Sequence, residues 1–126
     1  MNFPDTLRYS TDHEWVRVEG NRIVVGITDY AQDALGDVVF VDVPATGTEV
    51  AAGDTFSEVE STKSVSDIFA PVSGVIVDAN GELADNPELL NEDPYGDGWI
   101  CVIELADAAQ LDELMDATAY QSFVEG

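Results

Sequence analysis

The tightest constraint on the fold is segmentation. From Glu14 to Leu105 the chain breaks into apolar or alternating runs, each long enough only for a short strand and each closed by a turn signal. Glu14 to Glu19 and Arg22 to Ile27 flank Gly20-Asn21, a two-residue connection suited to a β-hairpin. Trp15 to Val18 alternates, whereas Ile23-Val24-Val25 is continuously apolar, as a strand covered on both faces would be. Val38 to Val43 is a further strand, ended by Pro44-Ala45-Thr46-Gly47. Thr55 to Glu60 and Val65 to Phe69 read as two arms of a hairpin. Gly74 to Asp78 follows Pro71 and stops before Asn80-Gly81, and Trp99 to Leu105 is the last strand.

Helical signals are short. Thr28 is placed to cap a helix over Asp29 to Leu35, with Gly36 to end it. Asp107 with Gln110 has capping-box spacing, followed by Ala108, Leu111, Leu114 and Met115 at helical intervals. Thr118 with Gln121 predicts a restart that places Tyr120, Phe123 and Val124 near a core. Leu83 to Gly98 reads as a long loop with one helical turn around Pro87 to Leu90, and loops of that length often carry function or docking. The expected architecture is one domain over residues 1–126, mostly β, a sandwich or barrel with helices at its edge.

Charge narrows the function classes. Against 26 acidic residues stand four basic ones, for a net charge of −22. Such a surface repels nucleic-acid phosphates and anionic membranes, so neither is expected as a partner. The acids are spread along the chain rather than gathered in a tail. Their mutual repulsion destabilises a compact state in dilute buffer and is largely screened at about 1 M salt, where the Debye length is near 3 Å. That pattern points to a halophilic prokaryote; an acidic partner-binding protein at ordinary salt is the rival reading. No apolar run is long enough to span a membrane, and the first residues lack a basic region and an apolar signal core, which leads to an expectation of cytoplasmic residence. The single cysteine, Cys101, lies in Trp99-Ile100-Cys101-Val102-Ile103 and is expected to be a buried, inert thiol.

Arg8, Arg17, Arg22 and Lys63 are all the basic residues, so Lys63 is the one lysine in the chain. Val59-Glu60-Ser61-Thr62-Lys63-Ser64-Val65 surrounds it with small polar residues at what should be a hairpin tip. Three readings of Lys63 follow from these residues. It is a solvated turn residue paired with Glu60 or Asp67, a contact worth roughly 0–1 kcal/mol. It is a Schiff-base amine, which requires burial or a cationic neighbour, whereas here acids flank it. Or it carries a covalent cofactor, since a four-carbon stem ending in an amine can form an amide with a carboxylic acid. The local sequence leaves the first and third readings open.

Beyond the local sequence, Val59-Glu60-Ser61-Thr62-Lys63-Ser64-Val65-Ser66-Asp67-Ile68 resembles the lipoyl-attachment segment of glycine cleavage H proteins. Other blocks are similar in the same order: Tyr9-Ser10-Thr11-Asp12-His13-Glu14-Trp15-Val16, Val25 to Gln32, Leu35 to Val41, Ala70-Pro71-Val72-Ser73-Gly74, Asn91, Asp93-Pro94-Tyr95-Gly96 and Gly98-Trp99. The likeness runs from about Leu7 to Phe123. It implies a lipoyl-domain-like hybrid barrel-sandwich of two antiparallel sheets with short peripheral helices. It also implies lipoate covalently attached to Lys63, and a turn of Glu60, Ser61, Thr62 and Ser64 that the lipoate-attaching enzyme recognises.

The role implied by the resemblance is that of a monomeric carrier, not an enzyme. A lipoyl arm takes an aminomethyl group at a pyridoxal-phosphate glycine decarboxylase, yields its carbon to tetrahydrofolate at an aminomethyltransferase, and is reoxidised by dihydrolipoamide dehydrogenase. The loaded arm would dock in a cleft matched here by Glu14, Asp67 and Asp12, with Ile27 and Leu35 as apolar lining. Asp12 stands where the family often has a smaller polar residue. His13 is assigned no metal. A lipoate relay or storage protein and a cofactor-free acidic interaction domain are the alternatives. A biotin carrier fits less well, because that family flanks its lysine with methionines where Thr62 and Ser64 stand here.

Overall fold

The computed structural model describes residues 2–125. Among the described residues, nine strands form two antiparallel sheets. In chain order they are β1 (Arg8–Tyr9), β2 (Glu14–Glu19), β3 (Arg22–Ile27), β4 (Val38–Val41), β5 (Glu49–Val50), β6 (Thr55–Ser61), β7 (Val65–Phe69), β8 (Gly74–Ala79) and β9 (Cys101–Leu105). The larger sheet has the order β1-β2-β3-β9-β8-β5, and the smaller β4-β6-β7. The helices are α1 (Asp29–Leu35), α2 (Glu82–Asp85), α3 (Leu89–Glu92) and α4 (Ala117–Glu125), with a 3₁₀ segment at Ala108–Glu113. The mostly β architecture of two antiparallel sheets with short peripheral helices is the expected one.

The hairpin of β2 and β3 turns at Gly20, whose φ of +66° supplies the positive angle that a tight hairpin needs. The continuously apolar run in β3 has a direct cause, because this strand is covered on both faces. Ile23, Val25 and Ile27 join the main core with Val41, Val59, Ile68, Ile76 and Ile103. Val24, on the opposite face, packs with Leu7, Tyr9, Trp15 and Tyr120 in a second core roofed by α4. Tyr9 and Tyr120 stack there with ring centroids 4.7 Å apart. Cys101 is fully buried in the main core, and burial pushes its thiol up to about 12, which keeps it protonated and inert.

Several expectations need correction. The strand from Val38 stops at Val41, and the last strand starts at Cys101 rather than Trp99. The two-residue strands β1 and β5 have too little pattern to be visible in the sequence. Asp107 does cap its segment, but through Ala109 N–H. Gln110 completes no capping box: its Oε1 accepts from Ser73 N–H at 2.7 Å, and the segment winds as 3₁₀. The cap of α4 is Asp116, whose Oδ1 accepts from Ala119 N–H, so the helix begins before Thr118. Tyr120 is buried as expected, whereas Phe123 is 47% exposed. The long loop holds two one-turn helices, α2 and α3. Buried Asn80 ties it down, donating to the carbonyls of Asp97 and Trp99 at 2.8 Å each, while Trp15 Nε1 donates to Pro94 O. Among the described residues, no helix is long and apolar enough to cross a membrane.

Candidate functional site

Lys63 stands exposed in the turn between β6 and β7. Ser61 organises that turn. Its Oγ accepts from the backbone N–H groups of both Lys63 and Ser64, at 3.2 and 3.1 Å, and its own N–H donates to Ser64 O. This is the local reason why small hydroxyl residues surround the lysine: they satisfy the turn's backbone without adding bulk. Thr62 N–H then donates to Asp37 O at 3.0 Å, tying the tip to the loop that follows α1. No ion pair among the described residues involves Lys63, so the pairing with Glu60 or Asp67 weighed from the sequence does not form.

The lysine stem crosses Gly36. A Cβ at Gly36 would lie 3.1 Å from Lys63 Cε and 3.3 Å from Cδ, and the φ of +81° there suits glycine alone. Asn91, reaching over from α3, fixes this saddle. Its Nδ2 donates to Gly36 O at 2.8 Å and to Gln32 Oε1 at 3.1 Å, and its Oδ1 accepts from Val38 N–H at 2.8 Å. One amide thus spans both sides of the turn on which Lys63 rests. Asn91→Ala should destabilise the fold by about 1–3 kcal/mol, because it leaves partly buried backbone groups unpaired; urea unfolding measures the loss. A cost near zero would show that water replaces the amide there.

Beside the hairpin, between α1 and β7, lies a cleft of about 230 Å³. Asp12, Ile27, Leu35 and Asp67, all proposed from the sequence, are brought together in its walls with His13, Tyr30, Ala31, Ala34, Ser64, Ser66 and Ile68. α1 forms one wall because Thr28 caps it, accepting from Ala31 N–H, and presents Ala31, Ala34 and Leu35 on one side. β7 supplies the other wall.

Glu14 is placed differently from Asp12 and Asp67. It pairs with Ile27 across β2 and β3 but is not among the lining residues; it is 1% exposed, and Ser10 Oγ donates to its Oε1 at 2.6 Å. Burial pushes its carboxyl up to about 7; the nearby Asp12 charge adds to this, while the hydrogen bonds from Ser10 and the Phe69 backbone oppose it.

His13, Tyr30, Ala31 and Ala34 are cleft residues that the sequence reading did not assign. His13 is the one non-glycine described residue with a positive φ, 71°. It is held there by the bond from Thr28 N–H to its carbonyl and by a 2.8 Å hydrogen bond between its Nδ1 and the Tyr120 hydroxyl. Burial lowers its pKa, favouring the neutral ring. Spacing from Leu35 along α1 was the available signal for Ala31; nothing in a single sequence marks Asn91 as the clamp. No group of three or more His, Cys, Asp or Glu among the described residues is arranged to hold a metal ion.

An exposed lysine on a pinned hairpin, next to a cleft that is mainly apolar with two carboxylates, suits an amide-linked arm that can either dock or swing out. Comparison with known proteins agrees with that arrangement. The family model for the glycine cleavage H-protein matches residues 7–126. The glycine cleavage system H protein of Bacteroides thetaiotaomicron is 52% identical over the whole of both chains. That of an Anaeromyxobacter species is 54% identical over 99% of this chain and 98% of its own. The crystal structure of the glycine cleavage system H protein from Mycobacterium marinum superposes with a TM-score of 0.89 at 40% identity, covering 98% of this chain and all of that one. With its two sheets, its lysine hairpin and a match that spans nearly its full length, this chain belongs to the glycine cleavage H-protein family.

Proposed function

We propose that this chain is the lipoyl-bearing shuttle of a glycine cleavage system, with lipoate in amide linkage to Lys63. H proteins are carrier components of that system rather than catalysts, and the family carries lipoate. The observation that carries the assignment to this residue is the placement of the lone lysine: exposed, on a turn pinned to Asp37, with its stem laid across Gly36 toward the end of α1. When bound, the lipoyl disulfide would supply the acceptor for an aminomethyl group and the disulfide–dithiol redox couple.

The chain's own residues do the rest. Glu60, Ser61, Thr62 and Ser64 shape the turn that a lipoate-attaching enzyme reads. Ile27, Leu35 and Ile68 give a docked arm apolar contact and limit the approach of water. Asp12 and Asp67 put negative charge in the same cleft, where an aminomethyl cation gains most from it. Glu14, next to Ile27 in the sheet, holds a further carboxyl in reserve close to that wall. With lipoate attached, the chain would present the arm to a pyridoxal-phosphate glycine decarboxylase for loading, to an aminomethyltransferase that moves the carbon to tetrahydrofolate with release of ammonia, and to dihydrolipoamide dehydrogenase for reoxidation of the dithiol. The protein serves each enzyme in turn as a one-domain monomer. Reconstitution tests this reading: protein from lipoate-fed cells should support glycine-dependent release of carbon dioxide by the decarboxylase, and protein from lipoate-starved cells should not. Equal support from both preparations would refute it.

We further propose that the acidic surface is suited to concentrated salt. The four basic residues give little local compensation: the ion pairs Arg17–Glu19 and Arg22–Glu104 are both exposed. Raising salt from about 0.1 M to about 1 M shortens the screening length from about 10 Å to about 3 Å. The unfolding midpoint should rise by about 4 °C for each kcal/mol of repulsion relieved. Calorimetry across that range checks this, and a midpoint indifferent to salt would contradict it.

A further inference from the structure

The outward face of the smaller sheet carries an apolar strip beside Lys63. Strand register sets Phe40, Glu60 and Val65 side by side across β4, β6 and β7. Phe40 is 48% exposed, Val65 56%, and Val39, at the β4 bulge, 54%. The alternate residues Val41 and Val59 point inward and are buried. Five large apolar side chains are exposed among the described residues, and three of them fall in this one strip. A pleat further from the tip comes an acidic row: Glu58 pairs with Asp67, and Asp42 N–H donates to Glu58 O at 2.8 Å. An apolar strip with an acidic border is the pattern of a partner-binding surface.

We propose that this face is the docking surface for the acyl-transferring enzyme that loads Lys63, and that the enzyme meets it with an apolar recess bordered by lysine and arginine. The proposal rests on the reading of Lys63 as the carrier lysine. Two observations select this partner. The first is reach. In loading, the Lys63 Nζ attacks the acyl carbonyl of an activated lipoyl donor, a mixed anhydride or a thioester. The amide N–C bond forms, the bond to the activating group breaks, and the amine proton passes to a base. That enzyme must bring its acyl carbon to the end of a bare lysine, so it necessarily covers the surface around the turn. Enzymes that use the loaded arm meet its far end and can stand further off. The second is charge: Asp42, Glu58 and Glu60 on this face call for a basic rim, which steers encounter and fixes orientation.

The test compares wild type, a Phe40→Ser/Val65→Ser variant and an Asp42→Asn/Glu58→Gln variant as substrates of a purified lipoate-attaching acyltransferase. The apolar variant should raise KM about tenfold with kcat held within about twofold, as expected for loss of uniform binding. The acidic-row variant should also raise KM and flatten its dependence on salt. Uncatalysed acylation of Lys63 by an activated ester should be equal in all three proteins, showing that the turn itself is intact. Unchanged KM in both variants, or a fall confined to kcat, overturns the docking surface. Failure of the enzyme to acylate even the wild type overturns the carrier reading beneath it.

Discussion

Replacing Lys63 with arginine should abolish lipoylation and, with it, every activity that depends on the arm, while leaving the fold intact. Arginine keeps the charge and most of the length, but its guanidinium stays protonated and forms no amide with a carboxylic acid under these conditions. Lys63 is the chain's one lysine, so no neighbouring amine on another lysine can substitute. It is exposed and takes part in none of the ion pairs found among the described residues, so the change in stability should stay within about 0.5 kcal/mol. Glycine-dependent carbon dioxide release should fall to the level without H protein, and the unfolding transition should be that of the wild type. An active Lys63→Arg protein would mean that the chain supports the system by some other route. An unfolded one would mean that the stem's contact with Gly36 matters more to the scaffold than to the arm.

The second large effect concerns Glu14 and pH. Its carboxyl is 1% exposed and held near 7, against about 4.5 for an exposed glutamate. Below about pH 4.5 it is protonated in both the folded and the unfolded chain. Between that point and about 7 the folded state keeps a proton that the unfolded state has released. Its contribution to stability is therefore complete at the acid end and is lost as pH rises through 7. At 1.36 kcal/mol per pH unit, the loss is roughly 3 kcal/mol. Glu14→Gln removes the titration but keeps a side chain that can accept from Ser10. Urea unfolding at pH 5 and pH 8 should show the variant losing about 2.5 kcal/mol less than wild type across the interval, the rest of the loss having occurred below pH 5. The difference between the two proteins isolates Glu14, since the surface acids are common to both. Equal pH dependence would show that water already solvates this carboxyl.

Much of this could be read from the residues because local rules and tertiary packing agree. Gly20-Asn21 closes the first hairpin where the turn chemistry places it, and Thr28 and Gly36 bound α1 as capping predicts. The Lys63 hairpin follows from two strand-like arms joined by small hydroxyl residues. What was not legible depends on partners distant in sequence. Gln110 turns from its own helix start to the Ser73 backbone, 37 residues away, and the capping box is lost. The two turns inside the long loop are set by Asn80 and Trp15, which bond carbonyls that no periodicity reveals. At the site, Asp12, Ile27, Leu35 and Asp67 came from a family likeness and converge on one cleft. Glu14 came from the same likeness, yet the strand alternation of β2 turns its side chain inward to Ser10. The Asn91 clamp under the Lys63 saddle joins α3 to the end of α1, a contact that only the fold creates.

Intact-mass and peptide mass spectrometry of the protein isolated from its own cells bears most directly on the carrier role. The account predicts a mass increased by one lipoyl group, located on the peptide that contains Lys63. An unmodified Lys63 in cells that actively cleave glycine would contradict it.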